Sequence, residues 1–277
     1  IKAILKKYHK SKSGLEIVHS SDIPGLSGLG SSSAFTASMV NLIHKMNSKT
    51  LSKKEIAKKA IYIERDILKE AVGLQDHYAC VFGGFNVIEY SKKKISVNPI
   101  RLKKNKINYL LKNSILVYTG ILREAEPIEK DKFKNFNKIK KNLKKIKDLA
   151  YRAKKIMESN SKNYIEEIAE LMKQNWEQKK KLSKYVSNKK IEKLYDFGLK
   201  NGAICGKLLG AGGGGYMLFI SKNQNDQKKL IKNLKNKIYF KFKLNNSGTK
   251  IIYQSDFGHW CTRELTAYDP NQFQTHH

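Results

Sequence analysis

Eleven residues constrain this chain more than any others: Pro24-Gly25-Leu26-Ser27-Gly28-Leu29-Gly30-Ser31-Ser32-Ser33-Ala34. Three glycines and four serines surround two leucines, and helix formers follow at once. Glycine lets a backbone turn sharply and approach a ligand with no Cβ in the way. Serines are good N-caps, and a helix starting here aims free N–H groups and its positive dipole end into the loop. The stretch is therefore either an anion cradle, most naturally for phosphate, or a plain turn between two elements. A second cluster, Lys207-Leu208-Leu209-Gly210-Ala211-Gly212-Gly213-Gly214-Gly215, shifts the balance toward function.

The pattern around the first cluster predicts how it is held. Ile1, Ile4, Leu5 and Tyr8 have helical spacing, Ser11–Gly14 is a turn, and Leu15–Ser20 reads as a strand running into the loop. The following helix spans about Ser32 to Met46 and begins with small residues. Ser52, with Glu55 three residues on, is a capping box for a helix to about Lys69. Its apolar stripe is Ile56, Ala60, Ile63 and Ile67, with Glu64 beside it. A short helix over Asp76–Phe82, a Gly83-Gly84 turn and a hairpin across Lys92-Lys93 come next.

The lysine-rich region Arg101–Asn108 predicts a domain boundary, giving an N-terminal domain over 1–105 and a second over 106–256. In the second, Ser114–Tyr118 is a buried-type strand and 130–199 carries three long charged helical patterns. A strand at 215–220, a helix at 225–237, a strand at 238–242 and a closing strand at 250–254 follow. After Lys250 the lysines stop, so residues 257–277 are expected to be a non-native tail.

Composition narrows the function classes. With 277 residues and 40% hydrophobic content, the chain can bury a real core. The net charge of +31 invites a nucleic-acid reading, but only five cations are Arg (Arg65, Arg101, Arg123, Arg152, Arg263), and the lysines are spread throughout. No dedicated nucleic-acid role is expected, and no run of about 18 apolar residues predicts a membrane span. Cys80, Cys205 and Cys261 form neither a disulfide framework nor a metal knuckle, which favours a cytoplasmic location.

Four features can build one site. The first loop would cradle a triphosphate, and Ser31 or Ser32 offers a hydroxyl to Mg²⁺, which prefers a few hard oxygens completed by phosphate and water. Glu64 is either a second ligand or a solvated helix carboxylate. Asp76, in Gly73-Leu74-Gln75-Asp76, is either a proton acceptor for an attacking hydroxyl or the N-cap of the next helix. Gly210, Ala211, Gly212, Gly213 and Gly214 form the remaining loop.

At these residues the sequence resembles a family. The first cluster is similar to the second signature of the GHMP kinases, and the 207–215 run to their third. Glu70-Ala71-Val72-Gly73-Leu74-Gln75-Asp76, Phe82-Gly83-Gly84-Phe85-Asn86 and Tyr118-Thr119-Gly120-Ile121-Leu122-Arg123-Glu124-Ala125 resemble the heptose 7-phosphate kinase branch. The resemblance implies an α+β GHMP kinase fold: a ribosomal protein S5 domain 2-like N-terminal domain and a ferredoxin-like C-terminal domain. ATP and substrate would sit between them. It implies Ser32 and Glu64 on Mg²⁺, Asp76 near the sugar hydroxyl, and the later glycines folded against the phosphate loop. Arg123 becomes a candidate contact for a substrate phosphate. The implied reaction is phosphorylation of the anomeric hydroxyl of D-glycero-D-manno-heptose 7-phosphate to the 1,7-bisphosphate, feeding surface polysaccharide synthesis.

Family members begin with a strand-rich segment carrying a first signature, which nothing before Ile1 supplies. An N-terminally incomplete kinase of weak or no activity is therefore expected. The alternatives are a fucokinase-like sugar kinase and an inactive kinase-fold basic binding protein. The sequence leaves the oligomeric state open, a homodimer being one option.

Overall fold

The computed structural model describes residues 1–11, 14–23, 25–91 and 94–254; Pro24, the Lys92-Lys93 turn, Cys261 and the expected tail lie outside them. The N-terminal half is mainly helical. It comprises α1 (Lys2–Tyr8), α2 (Ser31–Met46), α3 (Lys53–Ile61), α4 (Gln75–Phe82) and a hairpin of β1 (Asn86–Tyr90) with β2 (Ile95–Pro99). Ala37, Val40 and Ile43 of α2 pack on Ile56, Ala57 and Ala60 of α3 and on Tyr78 and Val81 of α4. The Ser52–Glu55 capping box starts α3 as the spacing predicts, with both reciprocal bonds formed.

The helix does not continue regularly to Lys69. From Tyr62 to Ile67 it widens into a π-helical turn, with Leu68 N–H bonding to Ile63 C=O, five residues back. Such turns shift the helical register by one residue and recur at functional sites. Here the shift turns both Ile63 and Glu64 inward and leaves Ile67 37% exposed, outside the stripe in which the sequence places it.

The C-terminal half holds α5 (Lys104–Lys112), β3 (Ser114–Tyr118), α6 (Glu126–Lys134), α7 (Phe136–Glu158), α8 (Tyr164–Lys180), α9 (Lys189–Lys200), β4 (Ala203–Leu208), β5 (Tyr216–Ser221), α10 (Gln224–Leu234) and β6 (Tyr239–Phe240). The sheet order is β4-β5-β3-β6, with every neighbouring pair antiparallel. The connections β3-helices-β4-β5-α10-β6 give the split β-α-β-β-α-β arrangement of ferredoxin-like folds. Trp176 of α8, Ile191 of α9 and Leu230 of α10 are fully buried against Val117, Met217 and Phe219 of the sheet. The three expected helical patterns appear as α7, α8 and α9.

Two expected strands do not form. Leu15–Ser20 and Lys250–Gln254 pair with nothing among the described residues, and Val18 and Ile252 are 85% and 86% exposed. β-branched alternation favours extended backbone, but only a partner's N–H and C=O groups make it a strand. The strand expected over 238–242 shortens to Tyr239–Phe240, the two residues in ladder register with β3, and Ile238 adds a single bond from its carbonyl to Tyr118 N–H at 2.8 Å.

Candidate active site

The first glycine loop delivers the chain to the N-terminus of α2. The N-cap is Gly30, in the left-handed region at φ 76°, and no side chain caps the helix. The serines therefore do not serve as the N-cap their type suggests. The backbone N–H groups of Ser31, Ser32 and Ser33 have no intrahelical acceptor, because the first turn of any helix lacks one. Gly30 also brings Asp76 in: a Cβ there would stand 3.4 Å from the Asp76 Cβ. Asp76 lies in the first turn of α4, whose N-cap is Leu74, so it is not the cap. Burial foremost, with Glu64 adding, pushes the Asp76 carboxyl above its usual range against the opposing pull of Gln75, His77 and Arg123.

Glu64 is fully buried, not a solvated helix carboxylate. The hydroxyls of Ser32 and Thr36, one turn apart on α2, both donate to its Oε1 at 2.9 Å. His77 Nε2, on α4 next to Asp76, stands 2.8 Å from its Oε2. That contact has ion-pair length without the alignment of a regular hydrogen bond, so Oε2 keeps unused acceptor capacity. Burial raises the Glu64 pKa, but His77, Ser32 and Thr36 outweigh it and hold the carboxyl below its ordinary value. A hard-oxygen ligand set for Mg²⁺ fits these residues: a charged carboxylate with a free lone pair beside the hydroxyl of Ser32, itself on the exposed side of α2. No group of three or more His, Cys, Asp or Glu able to hold a metal occurs among the described residues, so phosphate and water would have to complete such a shell.

The second glycine loop meets the first directly. A Cβ on Gly210, whose φ is 63°, would lie 2.7 Å from Gly28 O and 2.9 Å from Gly28 Cα. Gly215 stands equally close to Ser27 O. Thr119, at the end of β3, anchors this corner: its N–H and hydroxyl both donate to Gly215 O, at 2.9 and 2.8 Å. Arg123 follows, with its guanidinium beside both Gly28 and Gly210, and its buried Nε has no hydrogen-bond partner among the described residues.

The structure thus brings Gly28, Gly30, Ser32, Glu64, Asp76, Arg123 and Gly210 to one place. Gly25 and Leu26 are exposed, Leu29 and Ser31 are half-buried, and Ser27 and Ser33 are buried. Gly212, Gly213 and Gly214 pack instead on Val186, Ile128 and Ile121 of the C-terminal core, and Ala211 accepts from Lys132. Thr36, which the sequence offers only among the small residues opening α2, His77, and Lys179, whose Nζ donates to Leu208 O and Gly210 O, have no site role in the sequence pattern. Thr36 was findable at i+4 from Ser32, and His77 beside Asp76; Lys179 had no signal in a lysine-rich helix. A cavity of about 620 Å³ between α5 and the α7–α8 turn contains none of these residues; the site stands on the convergence of its groups rather than on cavity size.

Residues 1–84 match the GHMP kinases N terminal domain and residues 156–239 the GHMP kinases C terminal, together more than half of the chain. The chain belongs to the GHMP kinase family. Among GHMP kinases it is 36% identical, over 217 residues, to the D-glycero-alpha-D-manno-heptose 7-phosphate kinase of Campylobacter jejuni, covering 78% of this chain and 64% of that protein. It therefore spans less than two thirds of that relative's length. The fold is similar to a D-glycero-D-manno-heptose 1-phosphate kinase from Bacteroides thetaiotaomicron, at TM-score 0.65 and 26% identity over 84% of this chain and 66% of the other. It is also similar to the mevalonate kinase of Methanocaldococcus jannaschii, at TM-score 0.64 and 27% identity over 87% and 72%. The α+β GHMP kinase fold expected from the glycine signatures is thus present.

Proposed function

We propose that this chain carries the phosphate- and metal-binding core of a sugar kinase that transfers the γ-phosphoryl group of ATP to the anomeric hydroxyl of D-glycero-D-manno-heptose 7-phosphate. The observation that carries the reading is the convergence of Asp76, Glu64 and Arg123 on the contact between the two glycine loops. The heptose 7-phosphate kinase relative supports the acceptor.

In this reading the free N–H groups at the start of α2 and the loop backbone hold the triphosphate. Ser32 and Glu64 would hold Mg²⁺, which when bound neutralises charge on the phosphate oxygens. Arg123 reaches a substrate phosphate through its fork of donors. Asp76 accepts the proton of the anomeric hydroxyl as that oxygen bonds to the γ-phosphorus and the bond to the ADP oxygen breaks. Its raised pKa makes it a stronger base than an exposed Asp. Positioning and charge complementarity supply most of the rate in such transfers. The product would feed nucleotide-activated heptose for surface polysaccharide, with the enzyme in the cytoplasm. No helix among the described residues is long and apolar enough to cross a membrane. The domain limits at 1–105 and 106–256 are proposed with this reading.

The test is coupled ADP release with the heptose phosphate, free fucose and mevalonate as competing acceptors. Turnover confined to the heptose phosphate is expected, with Asp76→Asn lowering kcat about 100-fold or more. Wild-type kcat in Asp76→Asn, or a preference for fucose or mevalonate, overturns the assignment.

A further inference from the structure

Lys179 lies on α8, behind the second glycine loop and outside the residues assigned so far. It is 8% exposed. Its Nζ donates to Leu208 O and Gly210 O, each at 2.7 Å, and so grips the carbonyls on both sides of Leu209. The Leu209–Gly210 turn held in this way is the one that meets Gly28. Lys132, from α6, takes the next carbonyl, Ala211 O, at 3.2 Å.

No carboxylate among the described residues pairs with Lys179. Burial first, then Lys207, Lys132 and Arg123, push its pKa well below the ordinary lysine value, and only Glu129 opposes them. Glu129 is itself bonded to Lys132 at 2.8 Å. Burying an ammonium without a counter-charge is costly. Two carbonyls need donors, but a neutral amide would satisfy one or both without that cost. The hydrogen bonds account for a donor at this position and leave the charge without a folding role.

We propose that Lys179 is a positioning residue for the phosphate-binding junction: its two donor bonds set the Leu208–Gly210 turn against the first glycine loop, and a bound polyphosphate supplies the missing counter-charge of its ammonium. The second half rests on the kinase reading above. The cations that repel one another here then favour an anion: against the charges of Lys179, Lys207, Arg123 and Lys132 stand Glu129 and, beside Arg123, Asp76. Like charges gathered in one place repel one another, and an anion bound among them relieves that repulsion.

Two variants separate the halves. Lys179→Gln keeps a donor and removes the charge; Lys179→Met removes both. Calorimetry with inorganic pyrophosphate should show binding to wild type weakened about tenfold in Lys179→Gln. Native-state hydrogen exchange without ligand should show faster exchange across residues 208–213 in Lys179→Met and near wild-type exchange in Lys179→Gln. Because exchange reports the turn alone, a merely structural lysine would not produce weakened pyrophosphate binding with an undisturbed turn. Pyrophosphate affinity within twofold of wild type in Lys179→Gln overturns the electrostatic half. Unchanged exchange in Lys179→Met overturns the positioning half; if that variant does not fold, exchange in Lys179→Ala, which also removes the donor, is read in its place. Wild type that binds neither pyrophosphate nor ATP removes the kinase reading and the electrostatic half together, and exchange still decides the other.

Discussion

Glu64 and Lys179 are both buried, on the two sides of the contact between the glycine loops, and their surroundings handle the two charges in opposite ways. Glu64 is met by two hydroxyls and an imidazole, and its ionised form is stabilised against burial. Lys179 is met by two carbonyls and three further cations, and its ionised form is destabilised. The difference teaches that the two halves contribute unlike electrostatics to one site. The helical half prepares a permanent anion with a free lone pair, which suits a cation. The sheet half accumulates positive charge with little to balance it, which suits phosphate. A magnesium–triphosphate complex, carrying both signs, complements both.

The largest expected effect comes from separating the halves. Gly210→Ala places a methyl against Gly28 and strains a backbone at φ 63°. A loss of about 2–4 kcal/mol of stability is expected, with the ATP-induced rise in Tm abolished. Denaturant titration measures the first and thermal melts with and without nucleotide the second; an unchanged nucleotide shift would mean that the loops do not act as one site.

Removing the prepared anion comes next. Glu64→Leu leaves two hydroxyls without their acceptor and the His77 imidazole without the carboxylate beside it, for an expected cost of about 1–3 kcal/mol near neutral pH. The pH dependence sharpens the point. The folded pKa of Glu64 lies below its ordinary value of 4.5, so its stabilisation is complete above 4.5 and is lost as pH falls through the lower folded value. Glu64→Gln should therefore lose stability relative to wild type at neutral pH, and the two urea midpoints should converge in acid. Parallel curves down to the acid limit would count against the stabilised carboxylate.

The smallest effect tests the opposite sign on the sheet side. Burial pushes the Lys207 ammonium from 10.5 down to about 8. Between these values the unfolded chain holds the proton more tightly, so this residue makes stability rise with pH across that window. Lys207→Met should flatten the rise; an identical alkaline slope in both proteins would show that the cluster is not strained.

Much of this was legible in residue order. The Ser52–Glu55 box, the helices of the 130–199 region and the hairpin strands follow local rules, and local hydrogen bonds enforce them. The Asp76 and Glu64 alternatives were visible as alternatives and were not resolvable. A carboxylate on a helix looks the same in sequence whether it faces water or core; the π-helical turn at Tyr62–Ile67 decided that Glu64 faces inward. Leu15–Ser20 and Lys250–Gln254 failed as strands because pairing depends on a neighbour that alternation cannot supply.

By itself the sequence determined that two glycine clusters exist, that a helix begins at the first, and which carboxylates and arginine were in contention. Those properties rest on backbone freedom, capping and spacing within a few residues. Only the tertiary structure decided that Gly210 meets Gly28, that Gly212–Gly214 turn away into the core, and that Thr36, His77 and Lys179 complete the surroundings. Contacts between residues far apart in sequence are set by packing and by the need to satisfy buried charge, and neither is written in any one stretch of the chain.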